Sequence, residues 1–306
     1  MSLNLLNGVL AVTESLHFAL KRLRTSKSRL LWADTACINQ DDSAEKSQQV
    51  RLMQRIYSSA SLVIVDLGEE AENSALALPV FEALARKDQS CVPNVSQAKM
   101  QGLEPADAVD YVWDAFKDAL RRPWFRHIWV VQEFVSARRI RMACGSWDIK
   151  WDINWETMVA ALEVCKSRPY LLMAIQEFEH WTESEEMKAA MLGMRSMIEL
   201  ADARRRKHSK IDWSLLGLLE HFQKSVGLST HRRDRLFALL GMASDAADPR
   251  FDPDYEEPIG EVLSRYAPAF IEQKKCYEVL SMGGLWTAAG DTRLDPRLDT
   301  RACARA

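Results

Sequence analysis

The stretch from residue 30 to residue 68 constrains the fold more than any other part of the chain. Leu30–Ala36 is a short apolar run, and Leu62–Leu67 is a second run that contains β-branched residues and is followed by a glycine. Between them, apolar residues recur at helical spacing after a capping residue, Asp42 or Ser43. A strand, a helix and a strand in this order predict a βαβ unit with two neighbouring parallel strands.

Polar residues follow both predicted strands. The segment Asp34–Gln40 lies at the carboxyl end of the first strand, and Asp66–Glu69 lies at the carboxyl end of the second. Ligands of parallel sheets bind beyond the carboxyl ends of the strands. We therefore expect Asp34, Asn39 and Gln40 to contribute polar groups to a binding site.

A second informative stretch, RPWFRHIWVVQEFVSA, begins at Arg122. Its proline suits the first turn of a helix. In a continuous helix Arg126, Trp129 and Glu133 would share one face, because they are spaced i, i+3 and i+7. The stripe has two interpretations: a salt bridge shielded by an indole, or a functional carboxylate. The segment Arg139–Trp151 that follows is predicted to form a hairpin.

Composition and short motifs exclude several function classes. The chain has 306 residues and a net charge of -3, which gives no reason to expect nucleic acid as a partner. No apolar window is long enough for a membrane span. The spacing of the cysteines favours reduced thiols, so a cytoplasmic protein is expected. The six cysteines and six histidines do not occur at metal-site spacings, and no dinucleotide or phosphate loop motif is present. Cys37 is expected to be a packed thiol.

Several separate motifs together resemble the fungal heterokaryon incompatibility (HET) domain. They are WADTACINQ, QQVRLMQRIYSSA and DLG in the first stretch, and RPWFR, WVVQE and ACGSWDIKW in the second. Further along, HRRDRLFALLGMA and a Pro-Asp-Tyr sequence resemble a segment that follows the core domain in HET-containing proteins. There, Arg233 and Asp234 are interpreted as a helix-start cap and an ion pair.

The resemblance implies an α/β fold. We expect a flavodoxin- or TIR-like parallel sheet with flanking helices, followed by an α-helical C-terminal region. The predicted divisions are a HET domain over residues 1–166, a helical region over 167–285 and a disordered tail over 286–306. HET domains usually begin with a strand, and none is predicted before Ala11. We therefore expect either an internal start codon or a domain that is truncated at its N-terminal strand.

The resemblance also implies a role in non-self recognition that ends in programmed cell death, and it suggests a chemistry. The Trp129-x-x-x-Glu133 segment is similar to the Trp-Cys-x-x-Glu segment of Toll/interleukin-1 receptor (TIR) domains, whose glutamate is catalytic in NAD-cleaving members. A carboxylate beside the ribose would stabilise the oxocarbenium-like charge that develops as nicotinamide leaves. In this hypothesis Glu133 is catalytic, Trp129 walls the site and Arg126 holds the carboxylate ionised or binds a phosphate. NAD would be a substrate, and no cofactor or metal is expected.

The alternative is a protein-interaction module without chemistry of its own. It would trigger cell death through self-association or a partner protein. The two hypotheses differ in where they place Glu133: in an open cleft beside Asp34–Gln40, or buried in an ion pair with Arg126.

Overall fold

The computed structural model describes residues 2–5, 8–70, 77, 81–82, 85–86, 115–145, 155–167, 185–222, 225–226, 229 and 231–273. Four strands lie within these ranges: β1 (Ser2–Leu5), β2 (Gly8–Ala11), β3 (Val63–Asp66) and β4 (Ile140–Ala143). The helices are α1 (Glu14–Arg22), α2 (Asp34–Cys37), α3 (Ser43–Ser59), α4 (Val130–Ser136), α5 (Trp155–Ser167), α6 (Glu185–His208), α7 (Leu215–Phe222), α8 (Asp234–Leu240) and α9 (Ile259–Glu272). Two 3₁₀ turns, Pro123–Arg126 and Pro249–Phe251, complete a mixed α/β fold. None of the helices found in these ranges is long and apolar enough to cross a membrane.

A parallel pair of strands forms, but not between the two segments for which the sequence predicts it. β3 pairs in parallel with β4, with Val63 opposite Ile140, and all four β3 residues are buried. The predicted neighbour, Leu30–Ala36, contains only a single bridge residue, and α2 begins at Asp34. That prediction is wrong because the run lacks valine and isoleucine, and its alanines favour a turn of helix.

The predicted hairpin over Arg139–Trp151 can be followed only in its first strand. Residues 140–143 form β4, which runs parallel to β3. Gly145 adopts a φ of 75° and donates its N–H to the Gly68 carbonyl at 2.9 Å, which ties the two strand ends together. Residues 146–151, which would supply the second strand of the hairpin, lie outside the described ranges.

Two strands, β1 and β2, lie within the first eleven residues of the chain. They pair as an antiparallel hairpin, with Ser2 opposite Ala11. The expectation that no strand occurs before Ala11 is therefore wrong. The strand signal is weak in the sequence because Asn4, Asn7 and Gly8 interrupt the apolar residues. The hairpin is a sheet of its own and does not extend the β3–β4 pair.

The first two long helices form where the sequence predicts them. Thr13 caps α1 by accepting the Leu16 N–H at 3.2 Å, and Asp42 caps α3 by accepting the Glu45 N–H at 2.9 Å. The buried residues of α3 are Val50, Met53 and Tyr57, as its helical spacing predicts.

The stretch from Arg122 onward is not one continuous helix. The 3₁₀ turn ends at Arg126, His127 is extended with ψ 130°, and α4 begins at Val130. Arg126 therefore does not share a helical face with Trp129 and Glu133, and that part of the prediction is wrong.

The helices after residue 185 pack onto the first part of the chain. α6 packs against α4 and the first 3₁₀ turn, while α8 packs against α3 and α4. One hydrophobic cluster runs from Ile38 to Phe270, so both parts share a core. The division at residue 166 stays a prediction, and the tail predicted over residues 286–306 lies outside the described residues.

Close approach between these helices and the first part of the chain requires glycine at two positions. A Cβ added at Gly193 on α6 would lie 1.8 Å from the Leu120 carbonyl oxygen. One added at Gly241, at the end of α8, would lie 2.6 Å from the Gln54 Cβ on α3. Any larger residue at either position would push the packed elements apart.

Arg204 joins α6 to the end of α4. Its guanidinium donates to the carbonyls of Phe134 at 2.7 Å, Ala137 at 2.6 Å and Arg138 at 3.2 Å. It also lies over the Trp155 ring, 5.3 Å from the centroid. A cation at a helix C-terminus satisfies the last carbonyls and complements the helix dipole. Burial lowers the pKa of Arg204 from its usual value.

Replacing Arg204 should therefore destabilise the protein. Arg204→Met removes the donors from three carbonyls near the end of α4, and we expect the free energy of unfolding to fall by about 2–3 kcal/mol. Chemical denaturation measures the change. Arg205→Met is the matched control, because Arg205 forms a surface pair with Glu163 at 3.0 Å and should contribute less than about 1 kcal/mol. Equal losses in the two variants would contradict the assigned role of Arg204.

Candidate functional site

A cleft of about 700 Å³ lies between the start of α3 and the region around α8. Its volume is in the range of small-molecule sites. Four of the six predicted site residues line it: Asp34, Asn39, Gln40 and Trp129. The polar residues that complete its lining are Thr13, Thr35, Asp41, Lys46, His231, Asp234 and Tyr255.

One wall of the cleft is the segment that was predicted as a strand end. Asp34 begins α2, and its carboxylate accepts the Thr35 N–H at 2.8 Å. Gln40 donates its side-chain N–H to the Asp34 carbonyl at 3.2 Å, which folds the segment back on itself. Lys46 donates to the Gln40 carbonyl at 2.7 Å, so α3 holds the same segment from the other side. Neighbouring Cys37 is exposed, so the expectation of a packed thiol is wrong.

A second part of the cleft lining comes from the C-terminal part of the chain. Asp234 is buried, and its carboxylate accepts the Tyr255 hydroxyl at 2.5 Å and the His231 N–H at 3.0 Å. Arg233 occupies the N-cap position of α8, but its guanidinium donates to the Tyr255 carbonyl rather than capping the helix. The two motifs that resemble HET-containing proteins beyond the core domain thus meet at one hydrogen-bonded pair, Asp234 and Tyr255.

Glu133 lies in the core rather than at the cleft wall. It is only 7% exposed. One carboxylate oxygen accepts the Tyr57 hydroxyl at 2.9 Å, and the other accepts the Trp124 indole N–H at 3.3 Å. Glu133 is not among the residues that line the cleft, although its backbone N–H bonds to the Trp129 carbonyl at 3.3 Å.

Arg126 is separated from the other predicted site residues. It lines a different cavity of about 570 Å³ together with Glu69, Arg121 and Arg122. Its guanidinium donates to the Arg121 carbonyl at 3.4 Å, and burial lowers its pKa from the usual value. The structure brings four of the six predicted residues together at the cleft, and leaves Glu133 and Arg126 elsewhere.

Three residues of the cleft lining are not predicted from the sequence: Tyr255, Lys46 and His231. The Pro-Asp-Tyr sequence gave a signal for Tyr255, but no spacing rule connects it to Asp34 across more than two hundred positions. Among the residues with described positions, no three or more His, Cys, Asp or Glu side chains are grouped so that they could hold a metal ion.

Comparison with known proteins finds a family model that is similar to the first part of the chain. The heterokaryon incompatibility protein (HET) family model matches residues 1–133 of the chain. The chain is also 28% identical, over an alignment of 341 positions, to heterokaryon incompatibility protein 6, OR allele, of Neurospora crassa. That alignment covers 95% of this chain and 47% of the relative, so the chain spans about half the length of the relative. No solved structure matches the chain significantly.

The position of Glu133 predicts a structural cost for its replacement. Glu133→Gln keeps one accepting oxygen for the Trp124 indole N–H, but its NH₂ group then faces the Tyr57 hydroxyl, whose proton loses its acceptor. We expect the free energy of unfolding to fall by about 1–3 kcal/mol, measured by thermal or chemical denaturation. Glu163→Gln, at a side chain that is 50% exposed, is the control and should change stability little. A Glu133→Gln variant as stable as the control would mean that the buried hydrogen bonds contribute nothing.

Proposed function

We propose that this chain acts in heterokaryon incompatibility, the non-self response that ends in death of fused cells. The match of the HET family model to residues 1–133 is the observation that carries the proposal. The similarity to an incompatibility protein of Neurospora crassa supports it.

Within that function, the geometry best supports a signalling module that works through protein contacts. The carboxylate that the catalytic hypothesis requires, Glu133, is buried and accepts hydrogen bonds from Tyr57 and Trp124. A carboxylate in that position stabilises packing, and a substrate ribose could reach it only after those side chains moved.

Cleavage of NAD is the second candidate, and the cleft favours it. Asp34, Asn39, Gln40 and Trp129 line one cavity of suitable size. In this reaction the bond between nicotinamide and ribose breaks, and its electron pair neutralises the pyridinium. Water then adds to the ribose and releases a proton. Asp34 supplies a carboxylate at the cleft wall, while Glu133 would act only from a rearranged position.

A structural relation of this chain to TIR domains or to the flavodoxin fold is part of this second candidate, NAD cleavage. The parallel β3–β4 pair is compatible with such a relation, because both folds are built on parallel strands.

The incompatibility function can be tested in a fungal host. Inducible expression of the chain in Neurospora crassa should reduce the viability of cells, scored by dye uptake and colony formation. The Arg204→Met variant, expected to be destabilised, should have a weaker effect at equal transcript level, whereas the Arg205→Met control should act like the wild type. Unchanged viability at a confirmed level of the folded wild-type protein would contradict the proposal.

Nicotinamide release separates the two mechanisms. The purified chain is incubated with NAD, and the wild type is compared with Asp34→Asn, Glu133→Gln and the surface control Asp202→Asn, whose carboxylate pairs with Arg206 on α6. Cleavage at the cleft predicts loss of at least about tenfold in rate for Asp34→Asn with an unchanged melting temperature. A wild-type protein that kills cells but releases no nicotinamide would contradict NAD cleavage and leave the signalling module as the mechanism.

A further inference from the structure

A basic loop leads out of α1, and it consists of residues 24–30. Between Glu14 and Asp34 the sequence contains five lysines and arginines and no aspartate or glutamate, although the whole chain has a net charge of -3. Residues 24–28 are all exposed. The loop is therefore a positive region on the surface of a protein that is negative overall.

The basic loop is held in a fixed shape at its base. Leu23, just before the loop, is buried in one cluster with Ile64 of β3. Arg29 donates from its guanidinium to the Leu23 carbonyl, which closes the loop. The Thr25 hydroxyl donates to the Lys27 carbonyl at 2.8 Å. Because the loop is already ordered, little conformational entropy is lost when it docks on a surface.

Neighbouring carboxylates do not neutralise the charges of the loop. Arg22, in the last turn of α1, pairs with Asp66 and lies 3.7 Å from the Glu69 carboxylate. By contrast, none of the carboxylates with described positions forms an ion pair with Arg24 or Lys27. Their positive potential therefore extends into the solvent for about one Debye length, which is about 8 Å at physiological ionic strength.

A second basic run, at the end of α6, differs in this respect. Arg205 pairs with Glu163 at 3.0 Å, and Arg206 pairs with Asp202 at 2.9 Å. These charges are largely compensated within the protein. The comparison singles out the loop after α1 as the basic surface that is open to a partner.

An exposed leucine ends the basic loop. Leu30 is 91% exposed, more than any other large apolar side chain in the described part of the chain. Basic side chains alone would suit any polyanion. A leucine beside them becomes favourable when a partner removes it from water, and a bilayer does so while its anionic headgroups face the basic side chains. The combination therefore fits an anionic bilayer better than a nucleic acid.

We propose that the basic loop docks this chain onto an anionic lipid surface, with Leu30 inserted at the boundary of the acyl chains and Arg24 and Lys27 at the headgroups. The docking is peripheral, since a single loop enters the bilayer surface. This inference goes beyond the proposed function, because neither the cleft nor Glu133 takes part in it.

Binding of the full chain to lipid vesicles tests the inference. In a flotation assay the wild type should bind vesicles of phosphatidylcholine and phosphatidylserine at least about tenfold better than vesicles of phosphatidylcholine alone. Arg24→Gln combined with Lys27→Gln should weaken binding to the anionic vesicles at least about tenfold. Leu30→Asn should weaken it at least about fivefold, because an amide gains nothing from the acyl region.

The matched controls remove the same kinds of side chain at the end of α6. Arg205→Gln combined with Lys210→Gln deletes one arginine and one lysine, and Ile211→Asn deletes an apolar side chain that is 53% exposed. Both controls should bind the anionic vesicles like the wild type. All the substituted side chains are exposed, so each variant should melt near the wild-type temperature, which excludes unfolding as the cause of lost binding.

Three results would overturn the inference. A folded wild type that binds neither kind of vesicle, or both equally, would overturn the anionic lipid surface as the partner. Equal losses in the loop variants and in the α6 controls would overturn the assignment to this loop. Unchanged binding of Leu30→Asn would overturn lipid insertion and indicate a surface that recognises charge alone, as a nucleic-acid partner requires. The incompatibility function would still stand on its own test in each case.

Discussion

The buried carboxylate of Glu133 is the constraint on which the arrangement of the first part of the chain depends. It accepts from Tyr57 on α3 and from Trp124 in the 3₁₀ turn, while its backbone lies on α4. A carboxylate out of water is costly unless its oxygens have hydrogen-bond partners. The three elements must therefore keep their relative positions, and this places Trp129, one turn earlier, among the residues that line the cleft.

The C-terminal helices fix the same region from the other side. Arg204 on α6 satisfies carbonyls at the end of α4, and the Asp234–Tyr255 pair joins α8 to the segment that follows it. Because Tyr255 also bonds to Ser47 on α3, the C-terminal part forms the second wall of the cleft as well as part of the core. The ligand-sized cavity is thus a property of the packed chain rather than of the matched domain.

The sequence predicts the helices correctly where local signals decide the structure. The caps Thr13 and Asp42 and the apolar stripe of α3 depend on residues within a few positions of each other, and they formed as predicted. The strand at Leu30–Ala36 failed because an apolar run of that length is compatible with either a strand or a turn of helix. The partner of β3 could not be read locally, since β4 lies more than seventy positions further along the chain.

In the candidate site, too, the sequence predicts what local signals decide and misses what distant contacts decide. Asp34, Asn39 and Gln40 lie at the cleft even though the strand that was expected to carry them is absent from residues 30–36. Their short segment is closed by its own hydrogen bonds, so its position does not require a strand before it.

Glu133 was assigned by a motif that contains no information on burial. The Tyr57 hydroxyl and the Trp124 indole N–H hold the Glu133 carboxylate in the core and thereby keep it away from the cleft. The position that stabilises packing is therefore not one from which this side chain could act on a ligand. A carboxylate that acts on a ligand in this structure is better sought on the cleft wall, where Asp34 already lies.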